Sequence, residues 1–237
     1  MKPLMLGVVA LVLAAGLLAA CQRSKAPQRD AAAAAAKPSA PAVAGPERLV
    51  LALGDSLFAG YDLRPEQAYP VRLEAALRAR GINARVVNAG VSGDTTADGR
   101  ARLAFSLASL PRRPDLVLLS LGGNDMLRGL PVAQTRENLD AILGELEKRK
   151  VRVVVMGMLA MPNLGKDYGA SFNAVFPAVA AAHRATLVPF FLKAVIDRPD
   201  LRLEDRMHPT AKGIEAMVAD TAGVVGEVLA RDGAPDA

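Results

Sequence analysis

Tryptophan is absent, one cysteine and two histidines occur, and aromatic residues make up 4% of the 237 positions. A single cysteine closes no internal disulfide, so the fold must hold without one. With so few rings, the core falls to Leu, Val, Ile and Ala. The histidines, His183 and His208, are far apart, and the one cysteine, Cys21, is N-terminal. These form no ligand cluster, and no metal or other cofactor is expected. Excess charge is scarce as well. Of the net +5, Lys2 carries one and residues 21–46 carry three, which leaves +1 for residues 47–237. There is no basic stripe with interleaved aromatics, which argues against a nucleic-acid partner.

What is present begins with a leader. Lys2 precedes an apolar run over residues 4–20 that contains Gly7 and Gly16 and exits through Leu18-Ala19-Ala20-Cys21. A basic start, an apolar stretch and a small-residue exit describe a secretory signal over residues 1–20. The run is short for a membrane-spanning helix; the alternative is an uncleaved anchor. Residues 22–46 are rich in Ala and Pro, with six alanines at 31–36, and are expected to be a tether. The domain is expected over residues 47–237.

From residue 47, short apolar runs alternate with amphipathic stretches. Strands are expected at 49–53, 85–88, 115–121, 151–158 and 186–188. Helices are expected at 69–80, from 96 to about 110, at 131–150, 171–184 and 211–231. Strands alternating with helices predict an α/β fold, a three-layer α/β/α sandwich around a five-stranded parallel sheet, flavodoxin-like in size.

Four segments carry possible chemistry. Ser56 follows the first buried strand, where open α/β sheets bind ligands, and its hydroxyl could serve as a nucleophile. Gly93 follows the second strand, and could permit a turn or offer a bare N–H. Asn124, in Gly122-Gly123-Asn124-Asp125 after the third, could cap a loop or donate to an oxyanion. His208 lies in a loop three residues after Asp205, whose carboxylate could accept its Nδ1–H and leave Nε2 for a hydroxyl; a turn cap and a solvated histidine explain that segment equally well when it is taken alone. His183 is expected at a helix C-terminus, where a positive charge suits the dipole. Gly54-Asp55-Ser56 is not the Gly-x-Ser-x-Gly elbow of α/β-hydrolases.

In order along the chain stand Gly54-Asp55-Ser56-Leu57, Ser92-Gly93-Asp94-Thr95, Gly122-Gly123-Asn124-Asp125 and Asp205-x-x-His208. This resembles the SGNH (GDSL) hydrolase superfamily, closest to its thioesterase I, lysophospholipase and arylesterase-like members. Gly122–Gly129, Tyr168–Phe176 and Val188–Leu192 add to the likeness, which covers about residues 47–231. The resemblance implies Ser56 as nucleophile, His208 as general base, and Asp205 as the group that orients it. It implies an oxyanion hole from the N–H groups of Ser56 and Gly93 and the side-chain amide of Asn124. Asp55 is expected to brace the turn. Leu18-Ala19-Ala20-Cys21 resembles a bacterial lipobox, which implies lipidation of Cys21. Gln22 in place of Asp points to the outer rather than the inner membrane, with the domain facing the periplasm; without lipidation the protein would be secreted.

The leading expectation is a lipid-anchored serine esterase, acting as a monomer on a small ester, thioester or lysophospholipid. Met126, Leu127, Leu130, Leu159 and Pro162 are expected to line its acyl groove, within residues 126–130 and 159–167. The alternatives are an O-acetyl esterase acting on envelope polysaccharide and a non-catalytic tethered binding protein.

Overall fold

The structure is a computed structural model that describes residues 43–231. The leader, Cys21 and nearly all of the tether lie outside the described residues. Five strands form one parallel sheet: β1 (Arg48–Gly54), β2 (Ala84–Gly90), β3 (Leu116–Ser120), β4 (Arg152–Met156) and β5 (Thr186–Val188). Their order is β2-β1-β3-β4-β5, so the chain steps to one side of β1 and then builds outward from the other. β1 and β3 are buried along almost their whole length, as central strands covered on both faces must be. The edge strand β2 is half-exposed. It runs longer than residues 85–88 because Ala84, Ala89 and Gly90 still pair with β1, a pairing that its weakly apolar sequence does not announce.

The helices are α1 (Ser56–Ala59), α2 (Tyr69–Ala79), α3 (Thr96–Ala108), α4 (Gly123–Leu127), α5 (Val132–Lys148), α6 (Lys166–Asn173), α7 (Val175–Ala182) and α8 (Ala211–Ala230). Right-handed crossovers assign their layers. The β1-to-β2 step runs opposite to every later step, so α2 covers one face while α3, α5 and α7 cover the other. Contacts agree: α2 packs on α8, α3 on α5, and α5 on α7. The three-layer flavodoxin-like sandwich is therefore present.

Two elements depart from expectation. The single helix over residues 171–184 is two helices, broken between Asn173 and Val175. Pro177 has no N–H to donate and is tolerated only in a first turn, so a new helix starts just before it. The Asn173 side chain then accepts from the Ala160 N–H at 2.7 Å, tying this break to the loop after β4. No helix is expected at α4; Gly122, with φ +111, turns the chain straight into it. His183 is the C-cap of α7, as expected, with Nδ1 3.0 Å from the Glu147 carboxylate of α5.

The scarce rings are concentrated. Phe58, Tyr69 and Phe191 are fully buried and stack or meet edge-on at centroid distances of 4.8–5.7 Å. The Tyr69 hydroxyl is satisfied by Thr221 Oγ1 at 2.7 Å. Phe58 belongs to the one-turn helix α1, and burial of such a side chain contributes about 2–3 kcal/mol. That holds down a helix far too short to form alone.

Candidate active site

Register brings the four segments together. Gly54 at the end of β1 lies beside Gly90 of β2 and Ser120 of β3. The chain therefore leaves all three strands at the same edge, with Ser56, Gly93 and Asn124 in adjacent connections. The chain reverses its direction of travel across the sheet between β1 and β3, where sheets of this order bind ligands.

Ser56 is the first residue of α1. Asp55 caps that helix, its Oδ1 accepting the Leu57 N–H at 3.0 Å. Gly54 is required by close approach: a Cβ there would lie 2.8 Å from Ser120 O and 2.6 Å from a Phe58 ring carbon. Asp55 is 3% exposed. Burial pushes its carboxyl up from 3.8 to about 6, against the pull of the Leu57 N–H and the His208 imidazole.

The loop before α8 carries Asp205 and His208. It is pinched by bonds from Leu203 N to His208 O at 2.8 Å and from Thr210 N to Leu201 O at 2.8 Å. Arg206, with φ +58, turns its tip. Asp205 Oδ1 accepts the N–H groups of Met207 and His208 at 2.8 and 3.0 Å, and its Oδ2 lies 2.6 Å from His208 Nδ1. It is thus a turn cap and an imidazole partner at once. Partial burial raises its carboxyl, but the hydrogen bonds from the His208 ring and from the two backbone N–H groups outweigh that and hold it below its ordinary value. His208 Nε2 lies 2.8 Å from Ser56 Oγ. With Nδ1–H given to Asp205, Nε2 is left to accept the serine proton.

Gly93 adopts φ +87. Its carbonyl accepts from Arg128 at 2.6 Å, and the next carbonyl, of Asp94, accepts from the Asn124 side-chain amide at 2.9 Å. An amide has two N–H groups, so Asn124 retains one. Among the described residues, the backbone N–H groups of Ser56 and Gly93 have no acceptor within the protein. Asp125, buried at 1% exposure, accepts from Thr96 N, Thr96 Oγ1 and Thr135 Oγ1 at 2.8, 2.5 and 3.2 Å. It locks α4 to the start of α3, which keeps Asn124 beside Gly93. Sequence reasoning gave Asp125 no part; a carboxylate wedged among small residues after a strand was the available signal.

These groups open into a cavity of about 440 Å³ with a mainly apolar wall. Of the residues expected to line it, Met126, Leu127, Leu159 and Pro162 do. Leu130 does not: Gly129, with φ +63, ends α4, and the Leu130 N–H turns back to Asp125 O at 2.9 Å. The wall also takes Tyr61, Met158, Phe190, Ile196 and Met207, which were not expected there. Phe190 lay within a segment carrying the family likeness; the others gave no signal, because their strands and loops meet only through the sheet.

The GDSL-like Lipase/Acylhydrolase family model matches residues 52–216. The chain belongs to that family. It is an ester-hydrolysing serine hydrolase, and its relatives agree. An arylesterase from Vibrio mimicus is 40% identical over 160 residues, 68% of this chain and 79% of that protein. A thioesterase 1/protease 1/lysophospholipase L1 from Escherichia coli K12 is 35% identical over 171 residues, 72% of this chain and 79% of that one. Among solved structures, the SGNH-hydrolase family esterase AlinE4 is 53% identical, with a TM-score of 0.67 over 79% of this chain and all of its own.

Proposed function

We propose that the chain hydrolyses esters and thioesters of apolar acyl groups through an acyl-enzyme on Ser56. One observation carries this reading: a serine hydroxyl 2.8 Å from an imidazole that is itself 2.6 Å from a carboxylate, at the floor of an apolar cavity. Ser56 Oγ attacks the substrate carbonyl carbon while His208 Nε2 takes the hydroxyl proton. Asp205 keeps Nδ1–H as the donor tautomer and steadies the imidazolium. The carbonyl oxygen becomes an oxyanion, bound by the N–H groups of Ser56 and Gly93 and the second amide N–H of Asn124. Each such donor contributes about 3 kcal/mol, or 10²-fold in rate. The bond to the alcohol or thiol then breaks, and the leaving group departs with the proton from His208. Water repeats the sequence and releases the acid.

The cavity wall supports acyl or aryl groups over small acetyl ones. Four of the chain's eight methionines, Met126, Met158, Met161 and Met207, line it, and flexible thioethers repack around chains of different length. The activities of the relatives, an arylesterase and a thioesterase, point the same way. One chain supplies every group of the site, which supports the monomer as the acting unit. The lipobox-like exit at Cys21 supports export, lipidation and attachment to the outer membrane, with residues 22–46 as tether.

A fluorophosphonate probe applied to the full-length protein tests the nucleophile: wild type is expected to label, and Ser56→Ala and His208→Ala are not. Nitrophenyl esters from acetyl to dodecanoyl test the pocket, with hexanoyl or longer expected to exceed acetyl. Unlabelled, folded wild type would overturn the serine reading. A strong preference for acetyl would replace the acyl-pocket reading with the O-acetyl esterase one.

A further inference from the structure

The His208 imidazole is held at three places. Its Nδ1 meets Asp205, its Nε2 meets Ser56, and its face is covered by the ring of Tyr61, stacked at a centroid distance of 4.2 Å and an interplanar angle of 26°. Two in-plane bonds fix the ring's direction but leave it free to rock about the line between them. A ring on the face removes that motion.

Tyr61 is placed there by the same turn that presents the nucleophile. Gly60, left-handed at φ +83, ends α1, and both Gly60 N–H and Tyr61 N–H return to Ser56 O at 3.1 and 3.2 Å. A Cβ at Gly60 would lie 2.9 Å from the Ala68 Cβ, so this left-handed ending is reserved for glycine. One helical turn thus carries the hydroxyl at its start and throws Tyr61 back over the base from its end. The tyrosine is 47% exposed, so burial of its own surface does not explain its position.

Building on the Ser56 reading, we propose that Tyr61 is a positioning residue for the base: its ring keeps Nε2 on Ser56 Oγ and stabilises the imidazolium that forms when the serine gives up its proton. The face of an aromatic ring attracts a cation and is nearly indifferent to a neutral imidazole. The contact is therefore stronger in the transition state than in the resting enzyme, which raises kcat rather than tightening substrate binding. Acylation and deacylation both pass through the imidazolium, so both steps gain alike and KM stays put. Among the described residues, the other charged groups near the ring include Asp205 on Nδ1, Asp55 at the start of α1, and Arg206 within the same loop.

The test uses the full-length protein, a soluble nitrophenyl ester, and Tyr61→Leu beside Tyr61→Phe. Leucine keeps an apolar cover but has no π face. Tyr61→Leu is expected to lose about five-fold in kcat with KM within a factor of two, and to move the acid limb of the kcat/KM profile down by about half a pH unit. Tyr61→Phe keeps the π face and is expected to restore both, and thermal midpoints should stay near wild type for this half-exposed position. A leucine variant with wild-type kcat and acid limb would overturn the proposal. So would a rise in KM alone, which would leave lining the cavity as the only role of Tyr61. Fluorophosphonate labelling separates the two readings: a labelled wild type with an unaffected Tyr61→Leu refutes only the role of Tyr61, whereas an unlabelled wild type removes the serine chemistry beneath it.

Discussion

Two carboxylates act on one imidazole, and their surroundings push them in opposite directions. Asp55, buried, is raised to about 6; Asp205, donated to by three N–H groups, is lowered. A raised acid contributes stability that is complete below 3.8 and is lost as pH climbs through about 6; a lowered acid contributes stability present above 3.8 and lost as pH falls through its folded value. By pH 7 the loss from Asp55 is on the order of 3 kcal/mol. Asp55→Asn retains an acceptor for the Leu57 N–H and removes the titration. Denaturant unfolding should therefore show Asp55→Asn gaining on wild type by about 1–3 kcal/mol between pH 4 and pH 7; a difference that does not change with pH would show that the carboxyl is not held up by burial. At this scale Ser56, Asp205, His208, Gly93 and Asn124 were legible because each stands in a short block of distinctive residues. Tyr61 and Met207 were not, since a lone tyrosine or methionine in a loop has no local pattern to mark it.

Among the elements, α1 matters most and is the least able to stand alone. Four residues form it, and it is held by Phe58 in the ring cluster and by its approach to the end of β2. There a Cβ on Gly90 would lie 2.3 Å from Ala59 N and 2.7 Å from Phe58 C, both backbone atoms that cannot swing aside. Gly90→Ala is expected to cost about 2–3 kcal/mol by denaturant unfolding and, because α1 carries Ser56, to lower kcat at least ten-fold in the folded fraction. Wild-type activity and stability in that variant would mean that α1 is not clamped by β2. The buried strands β1, β3 and β4 were readable from continuous apolar runs, and α8 from its long periodicity. The α6/α7 break and the length of β2 were not, because one depends on where a proline falls within a first turn and the other on a partner strand.

Taken whole, the molecule has a direction. The site opens at the edge where the strands end, and the chain enters the sheet at the opposite end of β1, seven residues away, a distance of roughly 23 Å at a strand's rise per residue. Cys21→Ser is expected to abolish incorporation of labelled palmitate and to shift the protein from the membrane to the soluble fraction, with hydrolysis of a soluble nitrophenyl ester unchanged. Palmitate retained in that variant would refute lipidation at Cys21.

The linear chain determined the class of the fold and the order of its elements and nominated the residues proposed to react, because apolar periodicity and short motifs are local and survive without a structure. It also determined that no disulfide could help. Tertiary structure alone decided which side chains make the cavity wall, that Leu130 is not among them, that Asp125 fastens Asn124 to Gly93, and that Tyr61 covers the base. Those relations join residues dozens of positions apart. They exist only once parallel strands in register bring separate loops to one edge of the sheet.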